Sequence, residues 1–166
     1  MKRLAIFAAL LTVWSATAQA DKFSAELTGF QEVPSVASVA VGKFEATAAG
    51  DWLTVEYTLT FDGLQAAITQ SHIHFAQMSV NGPIVIWLCG TSASAGPSGT
   101  PTCPQSGTIS GTITTSSVLA SPATQQLRAG DIGEMISAMI AGSAYVNVHT
   151  AASPGGEIRG QIKRDR

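Results

Sequence analysis

Leu53-Thr54-Val55-Glu56-Tyr57-Thr58-Leu59-Thr60-Phe61 places an apolar side chain at every odd position and a polar one at every even position. Successive side chains of a β-strand point to opposite faces, so a period of two over this length predicts a strand with one face buried and one wet. Working outward, shorter stretches of similar composition predict strands over 22–28, 42–48, 71–77, 84–89, 107–114, 144–150 and 157–163. Turn chemistry separates them: Ala49-Gly50-Asp51, Asp62-Gly63, Asn81-Gly82-Pro83 and Ser153-Pro154-Gly155-Gly156. About eight short strands at this spacing predict an all-β fold, a two-sheet antiparallel Greek-key sandwich or flattened barrel.

One segment has another period. Ile132, Met135, Ile136, Met139 and Ile140 form a single apolar stripe at helical spacing. Asp131 is placed to cap its start with Glu134 completing a capping box, and Gly142 sits where the helix would stop. The expectation is one short helix near Asp131–Ala141, packed over an end of the β-structure. Its polar face lacks the basic residues of a membrane-surface helix.

The N-terminus reads as a secretory leader over residues 1–20. Lys2 and Arg3 precede an apolar run from Leu4 to Val13, and Ala18-Gln19-Ala20 is a small-x-small cleavage site before Asp21. The run falls short of the ~20 apolar residues that span a bilayer, and no later stretch supplies them, so no membrane span is expected. The remaining residues, 21–166, suffice for one domain with its own core. The expected location is periplasmic or secreted.

The two cysteines, Cys89 and Cys103, flank a loop rich in Gly, Ser, Thr and Pro. In an exported chain an even count points to a disulfide, with a pair of metal-binding thiolates as the alternative. Acidic residues number 11 against 9 basic, two of the latter in the leader, and no basic run occurs before the Lys163–Arg166 tail, which excludes an electrostatic nucleic-acid surface. Neither a nucleophile elbow nor a phosphate-cradling glycine loop is present.

The three histidines all fall in predicted strands. His72 and His74, two apart, share one face of Ser71-His72-Ile73-His74-Phe75, while Ile73 and Phe75 take the core face. In Tyr145-Val146-Asn147-Val148-His149-Thr150 the valines are core, so His149 faces outward with Tyr145 and Asn147. Three imidazoles from two strands suit a metal ion, copper before zinc, with an open further position. Three ordinary surface histidines are the plain alternative, and strand parity does not say whether the two strands are neighbours. A symmetric hairpin across residues 151–156 would set Glu157 opposite His149 and Arg159 opposite Asn147, both facing outward, with Glu157 orienting His149. A simple cross-strand polar pair is the alternative. Met78 shares the parity of the histidine pair as a soft axial ligand, provided no turn intervenes before Asn81.

The stretches Ala25-Glu26-Leu27-Thr28-Gly29-Phe30-Gln31-Glu32-Val33-Pro34, Ser71-His72-Ile73-His74-Phe75-Ala76, Asn81-Gly82-Pro83-Ile84-Val85, Ala141 to Thr150, and Pro154-Gly155-Gly156-Glu157-Ile158-Arg159-Gly160-Gln161-Ile162 resemble the CHRD domain, a module named from chordin and common in exported bacterial proteins. The chain departs from that pattern at Phe75, where glycine is expected. The resemblance implies a β-sandwich without an assigned biochemistry. A histidine pair on one strand with a lone histidine on a late valine-rich strand is also similar to the copper-ligand arrangement of copper–zinc superoxide dismutases, which implies His72, His74 and His149 as copper ligands. The further histidines of a zinc loop are missing. Three readings follow: a copper-binding protein for storage, delivery or simple redox; an extracellular structural or adhesion module whose sheet face takes a protein or glycan; and, last, a minimal dismutase-like enzyme.

Overall fold

The computed structural model describes residues 19–104 and 107–165. The leader lies outside the described residues as far as residue 18. The elements in chain order are β1 (Asp21–Thr28), a 3-10 turn (Gly29–Gln31), β2 (Val41–Ala48), β3 (Thr54–Asp62), β4 (Ile68–Phe75), β5 (Ile84–Gly90), β6 (Gly107–Thr114), a second 3-10 turn (Thr115–Ser117), α1 (Ile132–Ile140), β7 (Ala144–Thr150), β8 (Ile158–Gln161) and the short β9 (Lys163–Arg164).

All strands join one antiparallel sheet in the order β5-β4-β7-β8-β1-β2-β3-β6, with β9 also pairing β1. The edge strands β5 and β6 come side by side, so the sheet rolls into a nearly closed barrel. This is the flattened-barrel form of the expected all-β architecture, with one short helix. Cross-links finish the closure. The Tyr57 hydroxyl on β3 donates to the Leu88 carbonyl on β5 at 3.1 Å, and Leu119 N–H, beyond β6, donates to the Val85 carbonyl at 2.8 Å. Gly111 makes room for that tyrosine, since a Cβ there would lie 2.8 Å from its hydroxyl.

The alternation in β3 sends Val55, Tyr57, Leu59 and Phe61 into a core shared with Phe23, Leu27, Phe44, Ile73, Val146, Val148 and Ile158. Leu53 is a correction to the expected strand face. It is 60 % exposed, because β3 begins only at Thr54 and Asp51 caps a turn through the Leu53 amide. Helix α1 closes one side with Ile132, Met135, Ile136 and Met139 buried. The Asp131 carboxylate accepts from Glu134 N–H at 3.3 Å, and Ser143 and Gly142 N–H groups cap the other end on the Ala138 and Met139 carbonyls.

Cys89 and Cys103 form a disulfide, and both are buried. The bridge pins the loop after β5 beside Gly90, whose carbonyl accepts from Cys103 N–H at 2.9 Å. Closing a loop across 14 residues restricts the unfolded chain by about 3 kcal/mol. Replacing both cysteines by serine is expected to lower the free energy of unfolding in urea by about that amount. A variant as stable as the parent would show that the loop is held by its other contacts.

Candidate metal centre

The histidines meet because β4 and β7 are neighbours. Their register sets His72 opposite Asn147, His74 opposite Tyr145 and Gln70 opposite His149, so His149 is diagonal to His72 on the same face. Diagonal positions on one sheet face lie within reach of long side chains. The ring centroids are 5.0 Å apart for His72–His149, 5.5 Å for His72–His74 and 6.4 Å for His74–His149. One nitrogen from each ring can be chosen so that all three lie within 4.8 Å of one another. Two imidazoles on opposite sides of an ion at 2.0–2.1 Å stand about 4 Å apart. Small side-chain rotations would bring the rings to bonding distance, and the cluster could hold a metal ion.

The face is outward with respect to the hydrophobic core, but it is not wet. His72, His74 and His149 are 0, 7 and 6 % exposed, which corrects the reading of ordinary surface residues. Trp87 on β5 packs edge-on against His72 at 4.3 Å. It arrives there because β5 slips register against β4 between Ser71 and His72, which pairs Trp87 with His72. Tyr145 stacks flat on His74 at 4.6 Å, and the Arg159 guanidinium lies 3.4 Å above the other face of the same tyrosine. Arg159 in turn holds the loop after β4, donating to Asn81 Oδ1 at 3.1 Å and to the Val80 carbonyl at 2.9 Å.

Main-chain carbonyls orient two of the rings. His149 Nδ1 lies 2.9 Å from the Pro154 carbonyl, and His74 Nδ1 lies 2.9 Å from the Gly82 carbonyl. A carbonyl can only accept, so each Nδ1 carries the proton and each Nε2 keeps its lone pair. His149 Nε2 and both nitrogens of His72 have no hydrogen-bond partner among the described residues. His74 Nε2 is 3.1 Å from the Asn147 carboxamide. With its proton on Nδ1, His74 is matched there by the amide NH2, which occupies the same envelope as the oxygen. Burial lowers all three rings' affinity for protons: His72 to about 2, with His149 and His74 adding to the effect, His74 to about 4, and His149 below its ordinary value. The cluster is three neutral imidazoles with lone pairs turned inward, which is the protonation state a metal requires.

The other predicted members are placed differently. Arg159 does pair with Asn147 across the β7–β8 ladder. Glu157 does not orient His149. Gly156, at φ 124°, ends the alternation, and the Glu157 carboxylate is taken by Thr150 Oγ1 at 2.6 Å, Ser38 Oγ at 2.7 Å and Gln65 N–H at 2.9 Å. Thr150 points to the opposite face from its neighbour His149, so this carboxylate lies across the sheet from the cluster. The Pro154 carbonyl does the work expected of it. Met78 sits in a turn with Ser79 at φ 62° and is 60 % exposed, so the parity argument fails as its proviso allowed. The covering residues Trp87 and Gly82 were not foreseen. Only the glycine carried a signal, as part of an Asn-Gly-Pro turn directly after the histidine strand.

No curated protein and no solved structure matches the chain. The family model described as the CHRD domain matches residues 23–162, which takes in the whole of β4, β5, β7 and β8, the strands around the cluster. On that match over most of its length, the chain belongs to the CHRD domain family.

Proposed function

We propose that this protein is an exported copper-binding protein that holds one ion through His72, His74 and His149. The observation that carries the reading is a trio of buried, neutral imidazoles with one nitrogen of each within 4.8 Å of the others, those of His72 and His149 having no hydrogen-bond partner among the described residues. Leaving a buried polar atom unpaired costs roughly 1–3 kcal/mol, and an ion would satisfy one nitrogen on each ring. All-nitrogen ligation without thiolate or carboxylate suits copper, which also exceeds zinc in affinity for such sites. The leader pattern and the disulfide support work outside the cytoplasm. Trp87 and Tyr145 wall the cluster, and that enclosure favours holding and passing on an ion over turnover of a substrate.

Copper titrated into the purified chain, followed by tryptophan fluorescence and metal analysis, tests this. One equivalent is expected to bind and to quench Trp87, whose ring touches His72. His149→Ala is expected to weaken binding by about 100-fold or more, since the two remaining imidazoles leave the coordination open and one lost bond exceeds the effect of an outer partner. A wild-type chain that takes up neither copper nor zinc would end the reading.

A further inference from the structure

Glu32, at the end of the first 3-10 turn, is 6 % exposed, and its Oε1 has no hydrogen-bond partner among the described residues. The carboxyl lies flat on Gly156, in the loop that holds His149. A Cβ on that glycine would sit 2.4 Å from Oε1 and 2.9 Å from Oε2. The groups facing it are the Arg159 guanidinium from β8, the Tyr145 phenol and Asn147 carboxamide from β7, and the backbone N–H of Val33 beside it. Asn147 reaches towards Glu32 on one side and His74 on the other, although only the contact to His74 has the length and angle of a hydrogen bond. The other buried carboxylates among the described residues are engaged: Asp21 with Arg164 and Trp52, Glu157 with Thr150, Ser38 and Gln65.

An ion on three neutral imidazoles would bring one or two positive charges into a buried site that already has Arg159 nearby. Like charges in a poorly solvated setting repel strongly, and a carboxylate close by offsets this. Resting on the metal-binding reading above, we propose that Glu32 is the charge-compensating, positioning residue of the histidine site: neutral when the site is empty, ionised when it is filled, and coupled to it through Asn147. In the empty site Asn147 gives its NH2 to His74 Nε2 and turns its oxygen towards the Glu32 carboxyl, short of a hydrogen bond. When His74 Nε2 takes an ion, the carboxamide is released, rotates, and offers its NH2 to the Glu32 carboxylate. The Glu32 proton leaves to solvent, and His74 keeps its own on Nδ1, against Gly82. Burial pushes the Glu32 carboxyl up to about 7 against the pull of Arg159, so the change of state is accessible near neutral pH. By reciprocity, affinity for the ion should rise as pH rises through about 7.

The test is Glu32→Gln, which keeps the shape and can still donate to Asn147 but cannot ionise. Cu(II) is titrated into both chains from about pH 6 to about pH 8, with proton release measured in weak buffer. The wild type is expected to tighten across this range and to release a proton, whereas E32Q should bind about 10- to 100-fold more weakly at the upper end, with neither trend. Equal affinity and equal proton release in E32Q overturn the coupling alone, while failure of the wild type to bind copper overturns both this and the metal reading. Should E32Q not fold, the wild type still decides, because binding without proton release over the range also overturns the proposal.

Discussion

The metal-free protein is expected to lose stability as pH falls from about 6.5 to about 4.5, by about 3 kcal/mol or more. Two of the buried histidines have folded-state values of about 2 and about 4, both below the value near 6.5 of an unfolded chain. Below that value the unfolded chain takes up protons that the folded chain refuses, so acid favours unfolding. Each ring held neutral costs about 1.4 kcal/mol per pH unit over the window. Glu32 works the other way. Its folded-state value is raised to about 7, so it contributes stability that is present in acid and lost as pH rises through that value. One glutamate offsets one histidine. The second histidine remains, and His149, also lowered, adds to it. Against a typical total of 5–15 kcal/mol this is a large fraction. Urea unfolding of the metal-free chain at a series of pH values measures it. A flat profile would mean that the folded state protonates these rings freely, and so that the cluster is open to water.

The same residues show what a chain of letters carries and what it withholds. The alternation around Tyr57 was legible because a half-buried strand is a local pattern, and so was the shared face of His72 and His74. That His149 joins them depends on β7 lying beside β4, a pairing between strands about 75 residues apart that no local period encodes. Burial of the cluster was hidden for a related reason. Its cover comes from three separate places: Trp87 on β5, the turn at Gly82 and the loop at Pro154. Trp87 reaches His72 through a slip of register, which strict alternation cannot foresee. Glu157 was misplaced by the same rule, because Gly156 takes a positive φ and interrupts the count one residue before it. Parity thus serves within a strand and fails at its ends, where the ligand-orienting groups of this site happen to lie.

Gly82 concentrates those groups, and Gly82→Ala is expected to destabilise the fold by about 3–5 kcal/mol while weakening copper binding at least 10-fold. A Cβ at this position would lie 2.2 Å from the Phe75 carbonyl oxygen, 2.7 Å from its carbon and 2.8 Å from Ala76 Cβ. Two of those three atoms are backbone at the end of β4. That backbone has little freedom to yield, since Phe75 N–H donates to the Pro83 carbonyl at 3.1 Å and its carbonyl accepts from Gln125 Nε2 at 3.1 Å. The turn must therefore lift away. With it would go the Gly82 N–H bond to the Tyr145 hydroxyl at 3.2 Å and the Gly82 carbonyl that fixes the His74 ring. Overpacking costs about 1–3 kcal/mol and each lost hydrogen bond about 1. Loss of the carbonyl also releases His74 Nδ1 from its acceptor, so the ring no longer presents Nε2 inward in a fixed tautomer. Gly155→Ala is the control, because nothing lies within 4 Å of its Cβ position, and it should change stability by no more than about 0.5 kcal/mol. Urea unfolding of the two variants side by side, followed by copper titration of each, separates a steric effect at β4 from a general intolerance of added methyl groups. A Gly82→Ala chain as stable and as copper-competent as Gly155→Ala would mean that the turn can move freely and that Tyr145 and Asn147 suffice to orient His74.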